Sequence, residues 1–275
     1  MRRPSPAATP VQRVRRVLAR ETTSGLEVLP SIAGSVGTES VISPAAESTS
    51  LWALGFDTNA LFKIASHSKA ATIIDGLDAS PYHLVMPGQT AQEFWNNKVA
   101  GLPRVSGDIG STFASLKGKV EQLDDALGLD MPLAAIEGAL QEFEAVHQGL
   151  TSTRVNSGLK SLFEMLDRRA RFPFVPRDAF LAIGQARYAT KTPPGFKDSA
   201  PWLGDFFVWA DFLLGLASVT SPRQGLVVMV TEDRKSDWEV RGHVHPILAG
   251  EVKALTGCRF QLWTVEQLRE LVEST

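Results

Sequence analysis

The 275-residue sequence has one cysteine, no surplus of positive charge and no long apolar run. Cys258 alone can form neither an internal disulfide nor a cysteine-based zinc site, which fits a reducing compartment and leads us to expect a cytoplasmic protein. Lys plus Arg number 28 against 30 Asp plus Glu, a formal net charge of -2. Any nucleic-acid contact must therefore come from local patches. No apolar stretch approaches the roughly 20 residues that a membrane span needs, so no membrane partner is expected.

What is present is a globular composition. At 44% hydrophobic, the chain can bury the core of one large domain, or of a domain with an insertion. The first 20 residues hold six arginines and no acid, a pattern shared by transit peptides, basic nucleic-acid arms and plain disordered tails. No apolar segment follows the opening Arg-Pro-Ser-Pro run, which argues against a secretory signal. Ser, Thr, Gly, Ala and Pro dominate as far as Ser50. Residues 1–50 thus read as a disordered, basic and low-complexity tail, and the folded domain as 51–275.

Within that domain, LWALGF (51–56), YHLVMP (82–87), LVVMV (226–230) and RFQLW (259–263) read as short buried strands. Helical patterns separate them, including GDFFVWADFLLGLA (204–217), a segment near 246–256, and a last helix capped by Thr264. Between about 106 and 171 three amphipathic patterns, 111–127, 132–148 and 156–171, occur with no strand between them and predict a helical insertion. Strands alternating with helices imply a parallel sheet covered on both faces. Ligand sites in such sheets lie outside the carboxyl ends of the strands.

Acids gather at those ends. Asp57 directly follows the first strand and Asp233 follows LVVMV by three residues, while Glu93 lies one helical turn beyond the second strand and Asp205 opens the apolar helix. Held together without counter-charge, four carboxylates would raise one another's pKa, so a shared cation is the economical explanation. An oxygen-only set points to Mg²⁺ or Mn²⁺. Each acid also has a blander role open to it. Thr90 and Glu93 match a capping-box spacing, Asp205 fits a helix N-terminus, and Asp237 and Glu239 fit a solvated turn paired with Lys235 or Arg241. His243 and His245 form an H-x-H pair that reads as a solvent-facing loop, and His67, His83 and His147 are scattered.

The motifs FDTNALF (56–62), QEFW (92–95), R-Y-x-x-K-x-P-P-G-F-K-D (187–198), GDFFVW (204–209) and VTEDRKSDW (230–238) occur in an order that resembles the PIN-like nucleases, specifically a larger bacterial branch with a helical insertion. The resemblance implies a three-layer α/β/α sandwich with a central parallel sheet. It also implies an acidic pocket that uses Mg²⁺ or Mn²⁺ to hydrolyse phosphodiesters, usually in RNA, with single-stranded DNA as the other candidate substrate. Carried over by position, the metal-binding and catalytic acids fall on Asp57, Glu93, Asp205 and Asp233. Asn59 and Thr231 match the polar residues that accompany them, with Glu232 and Asp237 as outer acids. This branch commonly has aspartate where Glu232 stands. Arg187, Lys197 and Lys235 lie in motif loops and are the candidates for substrate phosphates. A homodimer, a regulatory protein partner and a role as the effector of a bacterial defence or toxin system are further expectations. The alternative is a catalytically silent nucleic-acid-binding or protein-interaction module on the same fold.

Overall fold

The structure is a computed structural model that describes residues 8–21, 28–29, 32, 50–96, 153–197, 202–220, 224–233 and 235–274, with isolated positions between 115 and 138. In chain order the elements are α1 (Pro10–Leu18), β1 (Leu51–Phe56), α2 (Thr58–Ser66), α3 (Ala70–Ala79), β2 (His83–Val85), α4 (88–96), α5 (153–169), β3 (Ala170–Arg171), α6 (Arg177–Ala189), α7 (Gly204–Ala217), β4 (Leu226–Val230), β5 (Glu239–Val240), β6 (His243–Val244), α8 (Pro246–Thr256), β7 (Arg259–Trp263) and α9 (Val265–Ser274). Five strands form one sheet in the order β3-β2-β1-β4-β7, every pair parallel, and β5 and β6 form a small antiparallel pair.

Side chains along the central strands alternate between two cores, as the two-residue period of a strand requires. Leu54, Phe56, Val228 and Val230 join the layer that contains residues of α2, α3, α5 and α9. Ala53, Val227, Met229 and Leu262 join the layer formed by α1, α6, α7 and α8. The result is a three-layer α/β/α sandwich around a parallel sheet. Because both faces are covered, β4 is buried at all five positions, and its unbroken apolar run follows from that.

Two expectations change here. Pro10–Leu18, placed by composition in a disordered tail, is a helix against α7 and α8. Its Val14, Val17 and Leu18 are buried, and Arg13 donates to the carbonyls of Ala217 (3.4 Å) and Leu255 (2.6 Å). Three apolar residues spaced i, i+3 and i+4 among arginines make one greasy stripe, and the Thr9–Gln12 capping box sets its start. The arginine count hid that stripe. The second change concerns Thr90, which is fully buried within α4 and donates its hydroxyl to the Phe56 carbonyl instead of capping the helix. That end is capped by Asp211 of α7, which accepts the Gln89 N–H at 2.8 Å.

The expected insertion helices at 111–127 and 132–148 lie outside the described residues save for isolated positions. The third is α5. At the C-terminal end, Thr264 caps α9 as expected, exchanging hydrogen bonds with Gln267.

Candidate active site

Parallel pairing of β2, β1 and β4 brings their carboxyl ends to one rim, with Gly55 beside Val85 and Phe56 beside Val230. Asp57, the first residue past β1, is held by its backbone N–H on the Val230 carbonyl (3.0 Å). Its Oδ1 caps α2 by accepting the Thr58 N–H at 2.7 Å, and its Oδ2 accepts the Thr231 hydroxyl at 3.0 Å. The same hydroxyl accepts the Asp233 N–H at 2.9 Å. Thr231 therefore ties the acid after β1 to the acid after β4.

From Asp233 the circuit continues through a cation. The Lys235 ammonium lies 3.1 Å from Asp233 Oδ2 and 3.1 Å from Asp205 Oδ2. Asp205 Oδ2 also accepts the indole N–H of Trp238 at 3.2 Å. On the other side of Asp57, the Thr58 hydroxyl donates to Glu93 Oε2 at 3.2 Å, and Gln89 donates to Glu93 Oε1 at 3.2 Å. A Cβ added to Gly204, the residue before Asp205, would lie only 2.5 Å from Glu93 Oε1. A side chain at 204 would collide with that carboxylate. The contacts thus run from Glu93 through Thr58, Asp57, Thr231, Asp233 and Lys235 to Asp205, and the Gly204 backbone beside Asp205 stands next to the Glu93 carboxylate, so these residues lie in a ring.

Burial is the main influence on Asp57. It pushes the carboxyl above the usual carboxylate range, against the hydrogen bonds from Thr58 and Thr231 that pull it down; Asp233 adds to the rise and Lys235 opposes it. Burial thus disfavours the charged form of Asp57, and a nearby cation would oppose that shift. Among the described residues, no group of three His, Cys, Asp or Glu side chains could hold a metal ion as placed. The residue types nonetheless suit a hard divalent ion. The donors are all oxygen, and two of the acids already enclose a cation that is tethered to a flexible side chain.

The other candidates divide. Lys197 is exposed at the end of the Pro-Pro-Gly-Phe-Lys loop, and Asn59 is exposed on the first turn of α2; Asp198 lies outside the described residues. Arg187 is not available to a substrate phosphate. It is 4% exposed and forks onto Glu251, with Nη1 at 2.6 Å from Oε1, while also donating to the carbonyls of Leu18 and Pro193. Glu232 turns away from the ring and caps α9, accepting the Val265 N–H at 2.9 Å. Asp237 is no solvated turn either. It is fully buried, and its Oδ2 accepts the N–H of Gly195 at 2.9 Å, fixing a loop whose Gly195 has φ 91°. His245 is half-buried and caps α8 through Nδ1, and His243 sits in β6, so the pair is not a solvent-facing loop.

Sequence reasoning missed Thr58 and Gly204 as parts of the ring, and Trp238 as the donor that holds Asp205, although all three stand inside quoted motifs. It also missed Asp211. Buried in the apolar helix α7, this carboxylate accepts from Gln89 N–H, Val175 N–H and both terminal nitrogens of Arg177, at 2.7 to 3.0 Å. It anchors the start of α4 and so the height at which Glu93 stands.

Residues 176–248 match the family model described as a PIN like domain. That stretch carries Asp205, Asp233 and Lys235; Asp57 and Glu93 fall before it. No curated protein and no solved structure matches the chain.

Proposed function

With the PIN-like assignment of residues 176–248 as the premise, we propose that the protein is a metal-dependent nuclease, and that its substrate is RNA. The observation that carries this reading is the continuous run of contacts joining Glu93, Asp57, Asp233 and Asp205 at the carboxyl rim of the sheet. Acids from four separate segments have no shared structural task there that one capping residue would not perform.

In this reading Asp57 and Asp233 hold Mg²⁺ or Mn²⁺, and Glu93 and Asp205 hold a second ion or orient the attacking water. When bound, such an ion supplies positive charge to the phosphoryl oxygens and makes water acidic near neutral pH. The chain supplies the rest. The hydroxyls of Thr58 and Thr231 fix the rotamers of Glu93 and Asp57, so the acids need not reorganise on binding. Trp238 holds Asp205 in place. Lys235, released from its two carboxylates, is within reach of a phosphate, and exposed Lys197 offers a second cation.

The test is incubation of labelled single-stranded RNA and DNA with Mg²⁺, Mn²⁺ or EDTA. Wild type cleaves RNA with either ion and not in EDTA, and Asp57→Asn is inactive. Equal inactivity of both proteins toward every substrate would overturn the proposal. One observation favours a second reading, a catalytically silent nucleic-acid-binding module: Lys235 already bridges Asp205 and Asp233, as it would in a site that no longer takes an ion. Salt-sensitive RNA binding that ignores divalent ions, without cleavage, would establish that reading instead.

A further inference from the structure

Beside the acidic rim, on the other flank of α4, lies a pocket of 190 Å³. Its walls include Met86, Ala91, Leu166 and Phe172, and Asp167 stands at its exposed mouth. We propose that this pocket binds an unpaired nucleobase of the substrate strand, stacked on Phe172, and that Asp167 selects a base presenting N–H donors, guanine above all. The proposal deepens the nuclease reading and rests on it.

Four observations carry it. First, the pocket and the ring share a helix: Ala91 lines the former, and Glu93 belongs to the latter. A helix is about 10 Å across, a distance that a few nucleotides of extended strand cover. Second, the walls are mainly apolar and Phe172 among them is 54% exposed, so an aromatic ring is accessible beside the pocket. Phe174, 50% exposed, meets the Phe172 ring edge-on at 4.9 Å and rests against Gly88 at the start of α4. The platform is thereby fixed to the helix that bears Glu93.

Third, arginines stand on this flank. Arg171 is exposed next to Ala170, exposed Arg168 pairs with Asp78 at 2.8 Å, and the Arg177 guanidinium, held by Asp211, lies 5.7 Å from the Phe174 ring centre. Arg177 also donates to Gln89, which donates to Glu93. A phosphate beside a stacked base would meet Arg171, and Arg168 could exchange Asp78 for it, a cation that an apolar peptide would not need. Fourth, a carboxylate at the mouth of an apolar slot accepts but cannot donate. The pairing edge of guanine offers it two adjacent donors, whereas uracil offers one donor between two carbonyls that the carboxylate repels.

The experiment measures binding of the full chain in EDTA to labelled oligouridine, with and without one central guanosine, and to the corresponding DNA strands. Wild type binds the guanosine-bearing strand about tenfold more tightly, the size of a good base-edge contact. Asp167→Asn binds both strands alike. Phe172→Ala loses about tenfold on both, and Phe172→Trp keeps that affinity. Equal binding by wild type, Asp167→Asn and Phe172→Ala would overturn the pocket assignment. So would a Phe172→Ala protein that melts earlier yet binds normally, because the pocket would then hold a segment of the chain itself.

Cleavage with Mn²⁺, run in parallel, separates the two claims. Pocket-dependent binding without cleavage by wild type overturns the nuclease reading and supports the pocket; normal cleavage with pocket-independent binding does the reverse.

Discussion

Two acidic centres in this molecule place carboxylates beside a basic side chain, and they are built differently. At the first, Glu251 is fully buried and receives both terminal nitrogens of Arg187 and the indole N–H of Trp209. Burial pushes its pKa up, and the charge and hydrogen bonds of Arg187 oppose that shift. At the second, the ring at the sheet rim, a flexible lysine with a side chain 37% exposed bridges two aspartates, and burial disfavours the charged form of the nearby Asp57. The first centre is saturated with rigid donors and closed to solvent. The second holds its anions with a flexible, part-exposed cation, which is how a site built for a removable cation should look.

The contrast would be broken most severely at the rim. Replacing Asp233 by Asn removes a carboxylate that the nuclease reading places on the ion, and RNA cleavage should fall about a thousandfold, roughly 4 kcal/mol of transition-state stabilisation. The melting temperature should move little, because Asp233 is partly exposed and an asparagine can still accept the Lys235 N–H that its Oδ1 accepts at 3.0 Å. Unchanged turnover would place the chemistry elsewhere. The opposite pattern is expected at the buried centre: Arg187→Ala removes the cation and both guanidinium donors from fully buried Glu251, at a cost of about 3 kcal/mol or more in stability read by denaturant unfolding. A change in cleavage without a change in stability would return Arg187 to the substrate side.

A smaller effect sharpens the comparison through pH. Asp57 binds its proton more tightly folded than unfolded, so its ionisation works against the fold. Its contribution favours folding below the ordinary aspartate pKa and is lost as pH rises through the raised folded value. Thermal melts in EDTA should therefore show wild type losing ground to Asp57→Asn as pH rises from acid toward neutral. Parallel curves for the two proteins would show that Asp57 is not held at a disadvantage. The smallest effect belongs to Glu232→Gln, which weakens the cap of α9 by about 0.5–1 kcal/mol and should leave cleavage intact. Loss of activity there would restore Glu232 to the acid set.

The parallel sheet was legible because LWALGF and LVVMV are short, apolar and followed by acids, and only strands buried on both faces read that way. The rim position of Asp57 and Asp233 follows from strand direction alone. What sequence could not supply was the direction of each side chain. Arg187 and Lys235 both stand in motif loops beside acids, yet one points into the core toward α8 and the other across the rim. Glu232 and Asp233 are neighbours that diverge to a helix cap and the ring, respectively. Helix α1 was lost for a related reason: composition averages over a helix, whereas Val14, Val17 and Leu18 matter only through their shared face.

The most direct measurement of the central claim is a calorimetric titration of Mn²⁺ into the ion-free protein at neutral pH, with Asp57→Asn and Asp205→Asn alongside. Saturable binding to wild type that either substitution weakens at least about tenfold is the predicted result. Binding that is absent from wild type, or equal in all three proteins, would contradict the account.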